Sequence, residues 1–124
     1  MKKIISAQEA ISFIKEGSTV MVGGFLECGA PDILVDELVN QNIGNLTMIS
    51  NDTTYPHADK GKLIVNKQIK KLITSHIGTN PETGKQMHSG ELDVELVPML
   101  GGGNKQITSI LKKSEPKEQG LAVF

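Results

Sequence analysis

The feature of this sequence that most constrains its fold is the regular return of short, mainly apolar segments. Their first residues lie about 25 positions apart, and segments with helical signals separate them. Such alternation is typical of βαβ units, in which a helix joins successive parallel strands. The sequence therefore predicts an α/β fold: an open, mostly parallel, doubly wound sheet with flanking helices. The predicted strands are residues 19–22, 46–50, 70–75 and 92–97.

Helix signals occupy the segments between these strands and the segment before the first one. Ser6 and Glu9 have the spacing of a capping box, and Gly17 is a natural helix stop, so we expect a helix over residues 7–16. The other predicted helices are residues 31–40, residues 61–67 and a helix that opens at the Asn80-Pro81 pair.

Composition narrows the class of protein. The chain has 124 residues, enough for one domain or part of one, and its formal net charge is −1. A nearly balanced charge gives no bulk attraction to nucleic acid or to anionic membranes, so we expect neither as a partner. The sequence has one cysteine and therefore no disulfide framework, and no apolar run approaches the length of a membrane span. These properties predict a cytoplasmic domain.

A glycine-rich loop, GGFLECG, follows the first predicted strand at residues 23–29. It lacks the Gly-Lys-Ser/Thr ending of a P-loop and the G-x-G-x-x-G spacing of a dinucleotide-binding turn. Two interpretations stay open: the glycines serve a ligand, or they only allow a tight turn with positive φ. Ligands of such sheets bind beyond the carboxyl ends of the strands, so we expect a site where the loop meets the residues that follow the next two strands. Those residues are Asn51, Asp52, His76 and Gly78.

Other reactive side chains have structural interpretations. Cys28 lies near a predicted helix N-terminus, where a thiolate is favoured, but no histidine is close in sequence and a small buried filler is the preferred interpretation. Glu27 is interpreted as a solvated carboxylate rather than a base. Asp93 and Glu95 alternate along a strand and should face solvent. The three histidines lack metal-ligand spacing, so we predict no metal site and expect surface or capping roles for His57, His76 and His88.

The stretch EGSTVMVGGFLECGAP, residues 16–31, closely resembles the N-terminal signature of the family I CoA-transferases. That signature has an Asp/Asn-Gly start, an apolar strand, Gly-Gly-Phe, three residues, Gly, one residue and Pro; here Glu16 replaces the usual Asp or Asn. The similarity continues through SNDT, LIVNKQIKKLI and SHIGTNPETGKQMHSGELDVELVP, to about residue 98. These segments look like the α subunit of bacterial acetoacetate-type enzymes. The matching signature positions are Gly23, Gly24, Phe25, Gly29 and Pro31.

The resemblance implies an activity and a binding site. Enzymes of this type move CoA among acetate, butyrate and acetoacetate, so the implied ligands are acyl-CoA and short-chain carboxylic acids. CoA is then a substrate, and no cofactor is expected. In this family the glycine loop of the α subunit contributes to the CoA site. The positions carried over are Gly23, Gly24, Phe25, Leu26, Glu27, Cys28 and Gly29.

The resemblance also implies a β subunit as partner. In the family's ping-pong reaction a glutamate of the β subunit attacks the acyl-CoA and forms a glutamyl-CoA thioester. The α subunit contributes a glutamine that opens a Gln-Gly-Thr stretch after the VELVP-type strand and helps to stabilise the oxyanion. In this chain Met99 follows Pro98, and a thioether cannot donate a hydrogen bond. We therefore expect no catalytic residue in this chain.

The resemblance ends near Pro98 and divides the chain in two. Residues 1–98 match the N-terminal part of the α-subunit domain, and residues 99–124 form a divergent tail that reads as loop and polar segment, so we expect a truncated sheet. One choice of synonymous codons for residues 117–124 encodes Gly-Ala-Gly-Leu-Gly-Gly-Phe in a frame shifted by one nucleotide. The resembling α subunits carry a similar segment, so the tail is interpreted as family sequence read in a shifted frame.

Two alternatives to an active subunit stay open at this point. The first is an inactive, truncated remnant of the same α subunit. The second is a small α/β module that binds another phosphorylated ligand.

Overall fold

The computed structural model describes residues 4–97 and 121–123. Four helices and five strands are described along these residues, and helix and strand alternate up to the fourth strand. In chain order they are α1 (Ala7–Ser12), β1 (Thr19–Met21), α2 (Asp32–Asn40), β2 (Leu46–Ser50), α3 (Gly61–Val65), β3 (Ile69–Thr74), α4 (Pro81–Ser89), β4 (Asp93–Leu96) and β5 (Leu121–Val123).

The strands form one parallel sheet in the order β4-β3-β2-β1-β5. The predicted open, parallel α/β sheet is confirmed. From β1 to β4 the sheet grows in one direction, whereas β5 lies on the other side of β1, so the strand order reverses there. In open α/β sheets a reversal of strand order opens a crevice at the carboxyl ends of the strands. The paired positions include Val20 with Met48, Met48 with Leu72, and Leu72 with Val94.

The fifth strand corrects the prediction for the tail. Residues Leu121–Val123 pair with β1, whereas the sequence predicts loop and polar segment throughout residues 99–124. Three residues are too few to show a period, so nothing local distinguishes this strand. Its pairing supplies hydrogen-bond partners to the second edge of β1, and Thr19 lies opposite Leu121. The rest of the tail lies outside the described residues.

Helix α1 is shorter than predicted because its last turn tightens. Ser6 caps it as expected, its hydroxyl accepting the N–H of Glu9 at 3.1 Å. After Ser12, however, the N–H of Ile14 bonds to the carbonyl three residues back. The N–H of Lys15 then donates to the side chain of Ser18 at 3.1 Å, so the helical ladder stops well before Gly17.

The remaining predicted elements lie within one or two residues of their observed bounds, and α4 shows why. Asn80 caps its first turn by accepting the N–H of Glu82, and Pro81 occupies a position where no N–H is needed. Gly90 ends the helix in the left-handed conformation. Both ends of α4 are therefore specified by local residues.

Successive helices pack on one another, α1 on α2, α2 on α3 and α3 on α4, and the apolar core lies where they meet the sheet. Strands β2 and β3 occupy the middle of this core, and Leu46, Met48 and Leu72 have no exposed surface. The other buried apolar residues of the cluster are Ile11, Ile14, Val20, Val22, Val35, Leu38, Leu63, Ile64, Ile69 and Leu92.

Two residues of α2 test this packing. Leu38 is 0% exposed and Ile33 is 76% exposed. We expect Leu38→Ala to lower the free energy of unfolding by about 2–5 kcal/mol, because the lost contacts leave a cavity. Ile33→Ala on the same helix should change it by less than about 0.5 kcal/mol. Urea denaturation of both variants measures the difference, and equal effects would show that α2 does not pack as described.

Candidate functional site

The glycine loop, residues 23–29, leaves the carboxyl end of β1 at the place where the strand order reverses. Because the strands are parallel, the segment after β2 reaches the same edge of the sheet. Asn51 Nδ2 donates to the carbonyl of Gly24 at 3.2 Å, and Asp52 Oδ2 accepts the N–H of Leu26 at 2.9 Å. The predicted meeting of the loop with Asn51 and Asp52 is therefore confirmed.

The end of β3 is connected to this edge indirectly. Both the N–H and the hydroxyl of Ser75 donate to the carbonyl of Asn51. His76 lies next to Gly78, where an added Cβ would be 2.9 Å from the imidazole. Within the described part of the chain, no hydrogen bond or ion pair joins His76 or Gly78 to the glycine loop. The three predicted strand ends thus lie along one edge of the sheet, and of the two later ones the segment after β2 bonds directly to the glycine loop.

Inside the loop the backbone folds into a two-residue hairpin. Phe25 and Cys28 exchange both backbone hydrogen bonds, each 2.9 Å long, with Leu26 and Glu27 between them. Leu26 has φ +51°, at a hairpin position that favours glycine because it requires positive φ. A left-handed leucine costs roughly 1–2 kcal/mol, so other contacts must hold this turn.

At Gly24 the structure supports one of the two interpretations of the loop, a tight turn that needs positive φ. The φ of this glycine is +106°, and an added Cβ would lie 3.1 Å from the carbonyl oxygen of Cys28 and 3.3 Å from the backbone of Ala30. Gly29 also has positive φ, +72°, but nothing lies within 4 Å of its Cβ position. The turn therefore needs glycine at 24 for both conformation and space.

The side chains of the hairpin are largely open to solvent. Cys28 is exposed, so the interpretation of its thiol as a small buried filler is wrong. The reason is that the hairpin projects Cys28 away from the core, which residue type alone does not indicate. Phe25 is 61% exposed, a large apolar surface for a loop. Glu27 is exposed, in agreement with its interpretation as a solvated carboxylate.

Three buried charges form a connected group at the loop, which two of them contact directly, and two of the three were missed from the sequence. Lys60 Nζ lies 3.1 Å from Asp59 Oδ2 and 3.5 Å from Asp52 Oδ1, and the three side chains are at most 3% exposed. Lys60 Nζ also donates to the carbonyl of Leu26 at 3.4 Å. In the sequence HADKGK the lysine resembles any surface charge, so only the fold reveals its burial. We call Asp52, Asp59 and Lys60 the buried charge cluster.

Three of the six described non-glycine residues with positive φ lie in or against the buried charge cluster. Leu26, Thr54 and Asp59 all have φ between +46° and +53°, a region that non-glycine residues seldom adopt. Asp52 Oδ1 accepts the N–H of Thr54 at 2.9 Å, so one carboxylate holds two of the three strained residues. Among the described residues, Asp59 Oδ1 and Thr54 Oγ1 are buried without a hydrogen-bond partner.

The other charged and metal-binding side chains lie elsewhere. His57, His76 and His88 are all exposed, as predicted, and His88 bonds to the carbonyl of Gly84. Asp93 and Glu95 are exposed, also as predicted. No group of three His, Cys, Asp or Glu that could hold a metal ion occurs in the described ranges. Met99 lies outside those ranges.

Shifted pKa values occur in two surface ion pairs. A hydrogen bond to Asp36 raises the pKa of the Lys62 ammonium, with Nζ 2.6 Å from Oδ1. A hydrogen bond to Lys67 similarly lowers the pKa of the Glu91 carboxyl. Neither pair touches the glycine loop, but Lys62 lies on α3 only two residues after Lys60.

Comparison with known proteins decides the family. The family model described as coenzyme A transferase matches residues 4–102, which include the whole glycine loop. This chain belongs to the coenzyme A transferase family. The resemblance seen in the signature at residues 16–31 is thereby confirmed.

Named relatives support the same family. The chain is 59% identical over 96 residues to the acetoacetyl-CoA:acetate/butyrate CoA transferase alpha subunit of Clostridium acetobutylicum. It is 50% identical over 96 residues to the acetate CoA-transferase subunit alpha of Escherichia coli. Each alignment covers 77% of this chain and 44% of the relative, so the chain spans less than half the length of these proteins.

Solved structures of two coenzyme A transferases and of a decarboxylase share the fold. Glutaconate coenzyme A-transferase from Acidaminococcus fermentans matches with a TM-score of 0.69 over 93% of this chain and 37% of its own, at 20% identity. An acyl-CoA transferase from Escherichia coli in a thioester complex with CoA matches with a TM-score of 0.68 over 90% of this chain and 23% of its own, also at 20% identity. A variant of the decarboxylase AibA/AibB matches with a TM-score of 0.60 over 74% of this chain and 37% of its own, at 25% identity.

Across residues 4–97 and 121–123, no helix combines the length and the apolar character that crossing a membrane requires.

Two alanine variants test the geometry of the loop. Gly29→Ala should lower the free energy of unfolding by about 1–2 kcal/mol, the cost of positive φ alone. Gly24→Ala should lower it by more, because its Cβ also meets the backbone of Cys28 and Ala30. Denaturant titration of both variants measures the difference. A smaller loss for Gly24→Ala would contradict the described turn.

Proposed function

We propose that this chain is part of the α subunit of a short-chain acyl-CoA:carboxylate CoA-transferase of the acetate/butyrate–acetoacetate type. Its glycine loop contributes to the CoA site through residues Gly23 to Gly29. The observation that carries the proposal is the 59% identity to the alpha subunit of an acetoacetyl-CoA:acetate/butyrate CoA transferase. The substrates are acyl-CoA and short-chain carboxylic acids, and CoA is a substrate rather than a resident cofactor.

The loop has the chemistry to receive an oxygen of CoA. Within the described part of the chain, the N–H groups of Gly24, Glu27 and Gly29 have no hydrogen-bond acceptor. N–H groups of a glycine-rich turn that opens a helix bind phosphate or carbonyl oxygens. The neighbouring Glu27 carboxylate would repel a phosphate, but it is exposed and free to remain in solvent. The exposed ring of Phe25 adds an apolar surface beside these donors.

A β subunit is the proposed partner, because this chain is expected to lack the reacting groups. The nucleophilic glutamate of the resembling enzymes belongs to the β subunit, and Met99 stands where their oxyanion glutamine would be. Loss of one oxyanion donor costs about 10²- to 10³-fold in rate. This chain's contribution is therefore to bind and orient CoA. We place it in the cytoplasm, with neither nucleic acid nor membrane as partner.

Two rival functions can be distinguished from the proposed one by their ligand preference and by turnover. The fold alone does not decide, because the structural matches include a decarboxylase as well as transferases. An inactive remnant of the subunit keeps the loop and its preference for CoA but supports no turnover with any β subunit. A binding module for another phosphorylated ligand need not prefer CoA to other nucleotides.

Calorimetric titration with CoA and with ATP tests the loop as a CoA site. We expect CoA to bind more tightly than ATP, and Gly24→Val to weaken CoA binding about tenfold or more, because the branched Cβ distorts the turn. Cys28→Ser should leave the dissociation constant unchanged, since the thiol has no assigned chemistry. Equal affinity for CoA and ATP would favour the binding-module alternative.

The chain by itself should transfer no CoA. The assay mixes acetoacetyl-CoA with acetate or butyrate and follows the new thioester by chromatography. We expect no turnover above the uncatalysed rate, because the nucleophilic carboxylate is assigned to the β subunit. Measurable turnover by the purified chain would contradict this division of roles.

A further inference from the structure

Lys60 is a lysine with no exposed side-chain surface. A buried ammonium is unfavourable unless it is both paired and hydrogen-bonded. Its contacts are Asp59 Oδ2 at 3.1 Å, Asp52 Oδ1 at 3.5 Å and the carbonyl oxygen of Leu26 at 3.4 Å. The two carboxylates exceed its charge by one, so the net formal charge of the cluster is −1, and the third contact belongs to the glycine loop.

Leu26 is held at both ends of its backbone by this one cluster. Asp52 Oδ2 accepts its N–H at 2.9 Å, and Lys60 Nζ donates to its carbonyl. Asp52 and Lys60 also contact each other, so the two hydrogen bonds to the Leu26 backbone come from one connected pair of side chains. Leucine does not favour φ +51° by itself, and these contacts supply what glycine would supply at the same hairpin position.

We infer that Lys60, acting with Asp52, is a positioning residue for the binding of CoA by the glycine loop, an inference that rests on the proposed function. By fixing the Leu26 backbone, the pair sets the direction of the N–H groups that follow it, those of Glu27 and Gly29. Lys60 is fully buried and acts through Leu26, so it does not touch the substrate itself.

The test is a double variant, Lys60→Met with Asp59→Asn, in the complete chain. Removing Lys60 alone would leave two buried carboxylates without a cation and risks unfolding. The double variant removes one positive and one negative formal charge, so the net formal charge of the cluster stays at −1, and the one remaining carboxylate, Asp52, keeps its two backbone N–H donors. The matched control is Lys62→Met with Asp36→Asn, which removes the partly exposed ion pair two residues further along α3.

Two readouts are compared in both double variants, with denaturation to measure overall stability. The first is the hydrogen-exchange rate of the Leu26 amide relative to buried amides of β3, and the second is the dissociation constant for CoA. We expect exchange at Leu26 to accelerate about tenfold or more and CoA to bind about tenfold more weakly, the size of losing a hydrogen bond to a charged donor. The control should change neither quantity.

The outcomes separate this inference from the proposed function. Unchanged exchange at Leu26 in a folded Lys60→Met/Asp59→Asn variant would overturn the positioning role. Faster exchange with unchanged CoA affinity would show that the cluster serves stability alone, which also overturns it. If the unmodified chain binds no CoA, the proposed function is wrong, and the positioning role for CoA is wrong with it. The exchange rate of the Leu26 amide then still shows whether the cluster holds the loop. A variant that is unfolded is replaced by Lys60→Gln with Asp59→Asn, judged by the same readouts.

Discussion

The contact between Lys60 and Asp52 connects three parts of this fold that are distant in sequence. It joins the segment after β2, the start of α3 and the glycine loop after β1. None of these side chains has appreciable access to water, so losing one partner would leave an uncompensated buried charge, at a cost of about 3–5 kcal/mol. The shape of the loop at the carboxyl edge of the sheet therefore depends on an interaction beneath it, and not only on the loop's own glycines.

The distribution of backbone strain supports this view. Asn42 and Asn45 have positive φ in ordinary turns, where asparagine is well tolerated. Aspartate is also tolerated there, as at Asp59, whereas Leu26, Thr54 and the exposed Lys67 are poor residues for that conformation, and each costs of the order of 1–3 kcal/mol. Leu26, Thr54 and Asp59 lie in or against the buried charge cluster, whereas Lys67 lies outside it and pairs with Glu91. Strain of this kind persists only where surrounding contacts impose it, and in proteins it concentrates at binding and catalytic sites.

Much of the fold was predictable because its signals are local. The strands at Leu46–Ser50 and Ile69–Thr74 are short segments with three apolar residues each, and α4 carries a cap at each end. Two elements were not predictable in the same way. The end of α1 depends on a competing bond from Ser18, and β5 depends on pairing with β1. Both are decided by contacts between residues that the local pattern does not connect.

The features of the site likewise fall into those that the sequence predicts and those that it does not. The glycine loop and its proximity to Asn51 and Asp52 follow from a parallel sheet, which brings the carboxyl ends of its strands to one edge. The exposure of Cys28 and the burial of Lys60 do not follow, because a residue's type sets only a tendency toward the surface or the core. In the sequence Lys60 lies between charged neighbours and nothing marks it as buried, so its role can be inferred only from its three contacts in the fold.

The most direct test is an amide-resonance titration of the isotope-labelled chain with CoA. If the loop held by the buried charge cluster is the CoA site, the largest shifts will fall on the amides of residues 23–29, with smaller ones at Asn51 and Asp52. Amides of α4, such as that of His88, should stay in place. Shifts centred elsewhere on the chain, or an unchanged spectrum at millimolar CoA, would contradict this assignment.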